Sequence, residues 1–170
     1  MKICIFIQKN MNEFTPLYNE IATLLESWEP KLLALPTEII TNRRNTQNRS
    51  IKQILGHLVD SVSNNHHRVV HLQYQKSPLI FPDYAHFGNN DVWIAIQNYQ
   101  DENWQNLVQL WKFANIHFIH VVDQINPGKL DNVWISALNE NISLRTMVSD
   151  YPKHFKLHLG EINELINNKS

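Results

Sequence analysis

The sequence has little cysteine, little glycine and almost no net charge, and each shortage argues against a class of protein. Cys4 is the only cysteine, so no internal disulfide can form, which fits a reducing, cytoplasmic compartment. Only 4 glycines in 170 residues favour long helices over a turn-rich sheet protein. The 15 basic and 16 acidic residues leave a net charge of −1 without a basic patch, so nothing indicates binding to nucleic acid or an anionic membrane.

Long apolar runs are also missing. None approaches the ~20 residues needed to cross a bilayer. The run at residues 3–7 is shorter than the ~7–15 apolar residues of a secretory signal. We therefore expect residues 1–11 to be an extension outside the fold, with Met11 as a candidate start. A short strand or docking tail at residues 3–7 is the alternative. Residues 12–168 are predicted to form a single domain.

Four long segments repeat apolar residues at the spacing of an α-helix. They cover residues 14–28, 50–75, 104–125 and 143–166. Four amphipathic helices in one domain bury their apolar faces best as a four-helix bundle, so the predicted fold class is all-α.

Local signals set the ends of these helices and the loops between them. Pro30 is expected to end or kink the first helix, and Pro152 to kink the fourth. Ser50 followed by Gln53 has the pattern of a capping box at the start of the second. The long connections between the first and second and the second and third helices are predicted to be mostly loop, with a short helix over residues 92–99.

Two histidines lie one helical turn apart in the fourth segment. His154 and His158 share a helix face, so both imidazoles can reach one ion, although two histidines packed beside the core explain the spacing equally well. His57 lies at the edge of the apolar face of the second segment. A second edge that carries histidine favours a shared internal cleft over solvent. The sequence therefore predicts a metal site at His57, His154 and His158.

The predicted ligands indicate the kind of ion. Three neutral imidazoles suit a borderline divalent ion such as zinc or nickel. Three protein ligands leave a position for water or substrate, which is typical of catalytic zinc sites. A di-iron carboxylate bundle would need Glu-x-x-His pairs, and the sequence has none.

Polar residues near these histidines are candidates for catalysis. Asn64 and Arg68 continue the polar line of His57 and are expected near the mouth of the cleft, where they could bind a carboxylate. Asp150 and Glu161 lie close in sequence to His154 and His158 and could orient an imidazole or accept a proton. For Glu161 a solvated helix face is the favoured interpretation. Asn115 is either a satisfied core amide or part of the site lining.

The other histidines fit the site less well. His117 and His120 point away from the apolar face of the third helix, and His66 is roughly opposite His57. His71 is about four turns further along the second helix, too far for the same ion. His86 is in a loop and could visit the cleft, although most histidines in loops are solvated.

Two stretches resemble a known superfamily. SIKQILGHLVDSVSNNHHR and DYPKHFKLHLGEINEL look like the DinB-like, YfiT-type proteins, which have Leu-Gly-His-Leu on the second helix and His-x-x-x-His near the chain end. VWIAIQNYQDENWQNLVQLWKFAN is also similar, so the resemblance spans residues 12–166. It implies a four-helix bundle with a tri-histidine metal site at His57, His154 and His158, and often a homodimer.

The resemblance leaves three functions open. The first is an S-transferase that uses a low-molecular-weight thiol and activates it on the metal. The second is a metal-dependent hydrolase acting on a small-molecule substrate. The third is a non-catalytic metal-binding bundle. On the resemblance alone the transferase ranks first.

Overall fold

Six α-helices form most of the protein. The structure, a computed structural model, describes residues 12–167. The helices are α1 (Thr15–Leu33), α2 (Thr37–Asn42), α3 (Ile51–Tyr74), α4 (Asn89–Gln97), α5 (Trp104–Asp123) and α6 (Leu144–Asn167). Within the described residues no helix is both long and apolar enough to cross a membrane. The predicted extension at residues 1–11 lies outside the described residues, and the single domain over 12–168 stays a prediction.

The four long helices α1, α3, α5 and α6 make the bundle, which confirms the predicted fold class. Helices α3 and α1 each pack against both α5 and α6. Their apolar faces meet in one core, whose largest fully buried side chains are Trp111, Tyr18, Phe14, Phe118 and Phe155. The bundle therefore sets α3 beside α6, the two helices that carry the candidate ligands.

Capping and turn chemistry fix the start of α3. Ser50 Oγ accepts a hydrogen bond from Gln53 N at 3.2 Å, and Ser50 N donates to Gln53 Oε1 at 2.9 Å. This is the predicted capping box, and it satisfies donors that the first turn leaves free. The preceding turn is organised by Asn45, whose Oδ1 accepts from Gln47 N and Arg49 N.

The first connection is more helical than its sequence suggests. Helix α1 continues through Pro30 to Leu33, so Pro30 does not end it, and its last turn closes with Ala34 N donating to Pro30 O. Residues 37–42, predicted to be loop, form α2, which buries Ile40 in the core. Helix α6 likewise includes Pro152.

A small three-stranded sheet was not predicted. Strand β1 (Leu79–Ile80) pairs in parallel with β2 (Val133–Ile135), which pairs antiparallel with β3 (Asn141–Ser143). Strands of two or three residues are too short to show the alternation that identifies a strand in a sequence. The sheet matters to the site because it holds the buried Trp134, which faces Leu79 and Ile142 in the register.

Candidate metal centre

Three histidines from α3 and α6 meet where the two helices pack together. One ligand atom from each of His57, His154 and His158 lies within 4.8 Å of the others. The ring centroids are 5.3 Å apart for His57 and His154, 4.6 Å for His57 and His158, and 4.5 Å for His154 and His158. His57 and His158 are buried, and His154 is partly buried. The helical phase that places two histidines on one face of α6 thus brings both to the edge of α3.

Tyr84 holds His57 in one tautomer. Its hydroxyl oxygen lies 2.7 Å from His57 Nδ1 and 3.2 Å from the backbone oxygen of His57. A hydroxyl has a single hydrogen, so both contacts are hydrogen bonds only if Nδ1–H donates to Tyr84 and Tyr84 donates to the carbonyl oxygen. That tautomer leaves Nε2 without a proton and able to bind a cation.

Glu161 holds His158 in a similar way. Its Oε2 lies 3.1 Å from His158 Nδ1, and the same oxygen accepts a hydrogen bond from Asn45 Nδ2 at 3.1 Å. The expectation of a solvated face for Glu161 was wrong, because the turn before α3 reaches across to α6 and anchors the carboxylate. A carboxylate on the distal nitrogen is a common partner of a metal-binding histidine, because it fixes the ring and raises its basicity.

Burial keeps two of the imidazoles neutral. The pKa of His57 falls from 6.5 to about 2, mainly because burial disfavours the charged ring, with smaller contributions from His158, His154 and Arg49. The pKa of His154 falls to about 4, first by burial and then by His158. Both rings are therefore unprotonated at neutral pH, the state a metal ion requires.

The glycine beside His57 has a packing role. A Cβ at Gly56 would lie 2.2 Å from Cδ2 of Tyr99, so only glycine allows that ring to rest on α3. The Tyr99 hydroxyl donates to Asp60 Oδ1 at 2.6 Å, and Gln97 donates to the same oxygen. Burial raises the pKa of Asp60 despite these two hydrogen bonds. The Leu-Gly-His-Leu stretch thus combines a candidate ligand with the contact that fixes its helix against the segment after α4.

A cavity of about 470 Å³ opens beside the three histidines. Part of its wall is apolar, from Trp134, Ile142, Met147 and Leu157. Its charged lining residues are Arg49, Arg68, Asp83, Asp150 and Glu161. The volume suits a small organic molecule.

The residues present fit a divalent ion. Within residues 12–167, His57, His154 and His158 are the one group of three or more histidine, cysteine or carboxylate side chains whose ligand atoms converge in this way. Two are unprotonated at neutral pH, and hydrogen bonds at Nδ1 direct Nε2 of His57 and His158 away from their partners. The set leaves room for an exogenous ligand from the adjoining cavity.

Comparisons with known proteins bear on the fold. Neither the protein-family models nor the curated proteins match the chain. Among solved structures, a similar one is YfiT from Bacillus subtilis, described as a probable metal-dependent hydrolase with an unusual four-helix bundle topology. The TM-score is 0.73 at 16% sequence identity, and the match covers 91% of this chain and 87% of that one. The chain has the YfiT fold. The resemblance stated from the sequence is confirmed as a likeness of fold.

Only some of the other candidate residues line the cavity beside the histidines. Arg68 and Asp150 line the histidine cavity, and Asp150 binds Lys153 at 2.9 Å near its rim. Asn64 does not line it. Its amide donates to the backbone oxygen of Asp60, and its side chain lines an adjoining cavity of about 210 Å³. Asn115 is a satisfied core amide that donates to Trp111 O and accepts from Tyr151.

Tyr84 and Trp134 line the cavity beside the three histidines and were not predicted from the sequence. Tyr84 lies in the connection between α3 and α4, and Trp134 in β2. Neither position has a helical phase, so no pattern could assign it to the site. His117 and His120 are exposed on α5, as their phase indicated, and His66 lies beside His117 with ring centroids 5.0 Å apart.

Proposed function

We propose that this protein is a metal-dependent enzyme that holds one divalent ion, zinc or nickel, on His57, His154 and His158. The observation that carries this proposal is the convergence of three ligand atoms within 4.8 Å beside a cavity of small-molecule size. A sealed structural site would instead surround the ion with four protein ligands. An ion with an open position would supply Lewis acidity, lowering the pKa of a thiol or water that enters the cavity.

The reaction we propose is transfer of a low-molecular-weight thiol to an electrophile. The sulfur forms a bond to an electrophilic carbon, the bond from that carbon to its leaving group breaks, and the thiol proton leaves. Asp150, at the cavity rim, is the proposed proton acceptor, since its carboxylate is partly exposed and able to pass the proton to solvent. The resemblance stated from the sequence supports this choice of nucleophile.

Hydrolysis is the second candidate, and the description of YfiT favours it. The same three histidines would serve, and water would replace the thiol as the nucleophile. The two reactions differ in what the cavity must hold. A transferase binds two organic molecules at once, whereas a hydrolase binds one and a water molecule.

The test is an activity screen on protein loaded with zinc or nickel. Small thiols are mixed with generic electrophiles such as an aryl halide or an epoxide, and esters and amides are tested in parallel without thiol. The proposal predicts metal-dependent loss of thiol that His154→Ala abolishes and His120→Ala leaves unchanged. Ester or amide cleavage alone would identify the hydrolase. Absence of both activities in protein with one bound ion would support the non-catalytic bundle.

Other features belong to the same proposal. The resemblance supports a homodimer and a cytoplasmic location, and the neutral charge balance supports a small-molecule substrate over a nucleic acid. Sedimentation of the purified protein tests the dimer directly.

A further inference from the structure

Arg68 is a buried cation that has no hydrogen-bond or ion-pair partner within residues 12–167. Its side chain lies on α3 and is 7% exposed. Within residues 12–167 no hydrogen bond or ion pair holds its guanidinium, although it lines the histidine cavity. Its nitrogens are not among the fully buried side-chain atoms of residues 12–167 that lack a hydrogen bond, so they are reachable from the cavity. A ligand that enters the cavity can therefore supply the acceptors that Arg68 lacks within those residues.

Every other charged side chain that lines this cavity is already paired. The pairs are Arg49 with Asp91, Asp83 with His86 and Asn89, Asp150 with Lys153, and Glu161 with His158 and Asn45. Among the charged side chains that line the cavity, Arg68 alone thus has no acceptor within the described residues.

The unpredicted sheet fixes the orientation of Arg68. Its Cζ lies 4.2 Å from the centroid of the Trp134 ring. A guanidinium over an aromatic ring is stabilised on its face and keeps its in-plane N–H groups for hydrogen bonding. Trp134 is 7% exposed and held in β2 between two strands, so this support is rigid.

Helix geometry places Arg68 on the same side of α3 as His57. The two residues are 11 apart, about three turns and ~16 Å along the axis, and they share a face. Side chains on a helix tilt toward its N-terminus, which brings the guanidinium back toward the histidines. One ligand can therefore span the cavity from the histidine cluster to Arg68.

We propose that Arg68 binds a carboxylate on the small molecule that enters the cavity, either the thiol or the electrophile. This inference rests on the proposed function, since it assigns the substrate class of the same site. The guanidinium edge matches the two oxygens of a carboxylate. Asp83 also lines the cavity and acts electrostatically on Arg68, so a singly charged carboxylate is repelled less than a doubly charged phosphate.

The test uses protein loaded with cobalt(II), whose absorption changes when a sulfur ligand binds. The probes are straight-chain mercapto-carboxylates of increasing length, each compared with the mercapto-alcohol of the same length. We expect the carboxylate to bind about tenfold or more tightly at the length that reaches Arg68, because a charge-assisted hydrogen bond supplies such a factor. Arg68→Gln should abolish this preference and leave affinity for the alcohols unchanged.

Matched variants separate charge from geometry. Arg145→Gln removes an arginine that pairs with Glu13 on the surface and should keep the full preference. Arg68→Lys keeps the positive charge but lacks the planar edge of the guanidinium, so this variant should retain only part of the preference for the carboxylate. These variants also cover the case in which Arg68→Gln fails to fold.

The outcomes distinguish the two proposals. If cobalt(II) does not bind, the proposed metal site fails. If it binds and no probe changes its spectrum, the proposed thiol transfer fails. If thiols bind but the carboxylate has no advantage at any length, or the advantage survives in Arg68→Gln, the assignment of Arg68 is overturned. Tighter binding of a mercapto-phosphonate than of the matched carboxylate would overturn the choice of carboxylate.

Discussion

Removing the Tyr84 hydroxyl should weaken metal binding without touching a ligand. In Tyr84→Phe, the buried Nδ1–H of His57 loses its acceptor at 2.7 Å, and the tautomer is no longer fixed. An unsatisfied buried donor costs ~1–3 kcal/mol, which corresponds to roughly 5- to 150-fold in an equilibrium constant. Loss of a hydrogen-bond partner of a ligand typically costs ~10–100-fold in metal affinity. We therefore expect a rise of about 10–100-fold in the zinc dissociation constant.

The chain offers a matched control for this experiment. The Tyr74 hydroxyl also lies 2.7 Å from a histidine Nδ1, that of His71, but Tyr74 is 66% exposed and remote from the cluster. Zinc affinity is measured by competition with a chromophoric chelator for Tyr84→Phe and Tyr74→Phe. The zinc affinity of Tyr74→Phe should equal that of the unmodified protein. Equal affinity in all three proteins would refute the role assigned to Tyr84, and equal loss in both variants would show a non-specific effect.

Three further predictions concern the pKa values and the packing. At pH 6, three histidines of ordinary pKa would release about two protons per bound ion. Because His57 and His154 are already neutral, metal binding at pH 6 should release at most about one proton per ion. Calorimetry in buffers of different protonation enthalpy measures this number. The same lowered pKa values predict the pH dependence of stability in the metal-free protein. The free energy of unfolding should be highest above pH 6.5 and fall as the pH drops toward 4, because the unfolded chain binds protons that the folded chain does not. A free energy of unfolding in urea that stays constant across that range would contradict this. Gly56→Ala forces a Cβ into the Tyr99 ring and should destabilise the fold by ~1–3 kcal/mol in urea unfolding. A Cβ at Gly160 meets nothing within 4 Å, so Gly160→Ala should stabilise the fold by ~1 kcal/mol. Similar effects at both sites would refute the packing role of Gly56.

The elements in which apolar residues repeat at helical spacing over a long stretch were predictable from the sequence. Apolar residues repeated over twenty or so positions identified four helices, and Ser50 with Gln53 located the start of α3. The same helical phase brought His57, His154 and His158 to facing edges before their contacts were known. A helix fixes the direction of every side chain it carries, so a ligand on a helix can be located from its neighbours in sequence.

The contacts made by irregular connections and very short strands were not predictable, because these segments have no repeating pattern. Tyr84 reaches His57 from an irregular connection, and Trp134 reaches Arg68 from a three-residue strand. Glu161 was assigned to solvent because its own helix gave no sign that Asn45 would reach it from a loop. In each case the missing information is the path of a connection in space, which propensities and spacing do not contain.

The most direct test of the account is the metal content of purified protein and its histidine variants after chelation and reloading. We expect one divalent ion per chain in the unmodified protein and in His120→Ala, and little or none in His57→Ala, His154→Ala or His158→Ala. Helical circular dichroism should be unchanged in every sample, because the apolar core needs no metal. Stoichiometric metal in the three ligand variants, or loss of helix on chelation, would contradict the account.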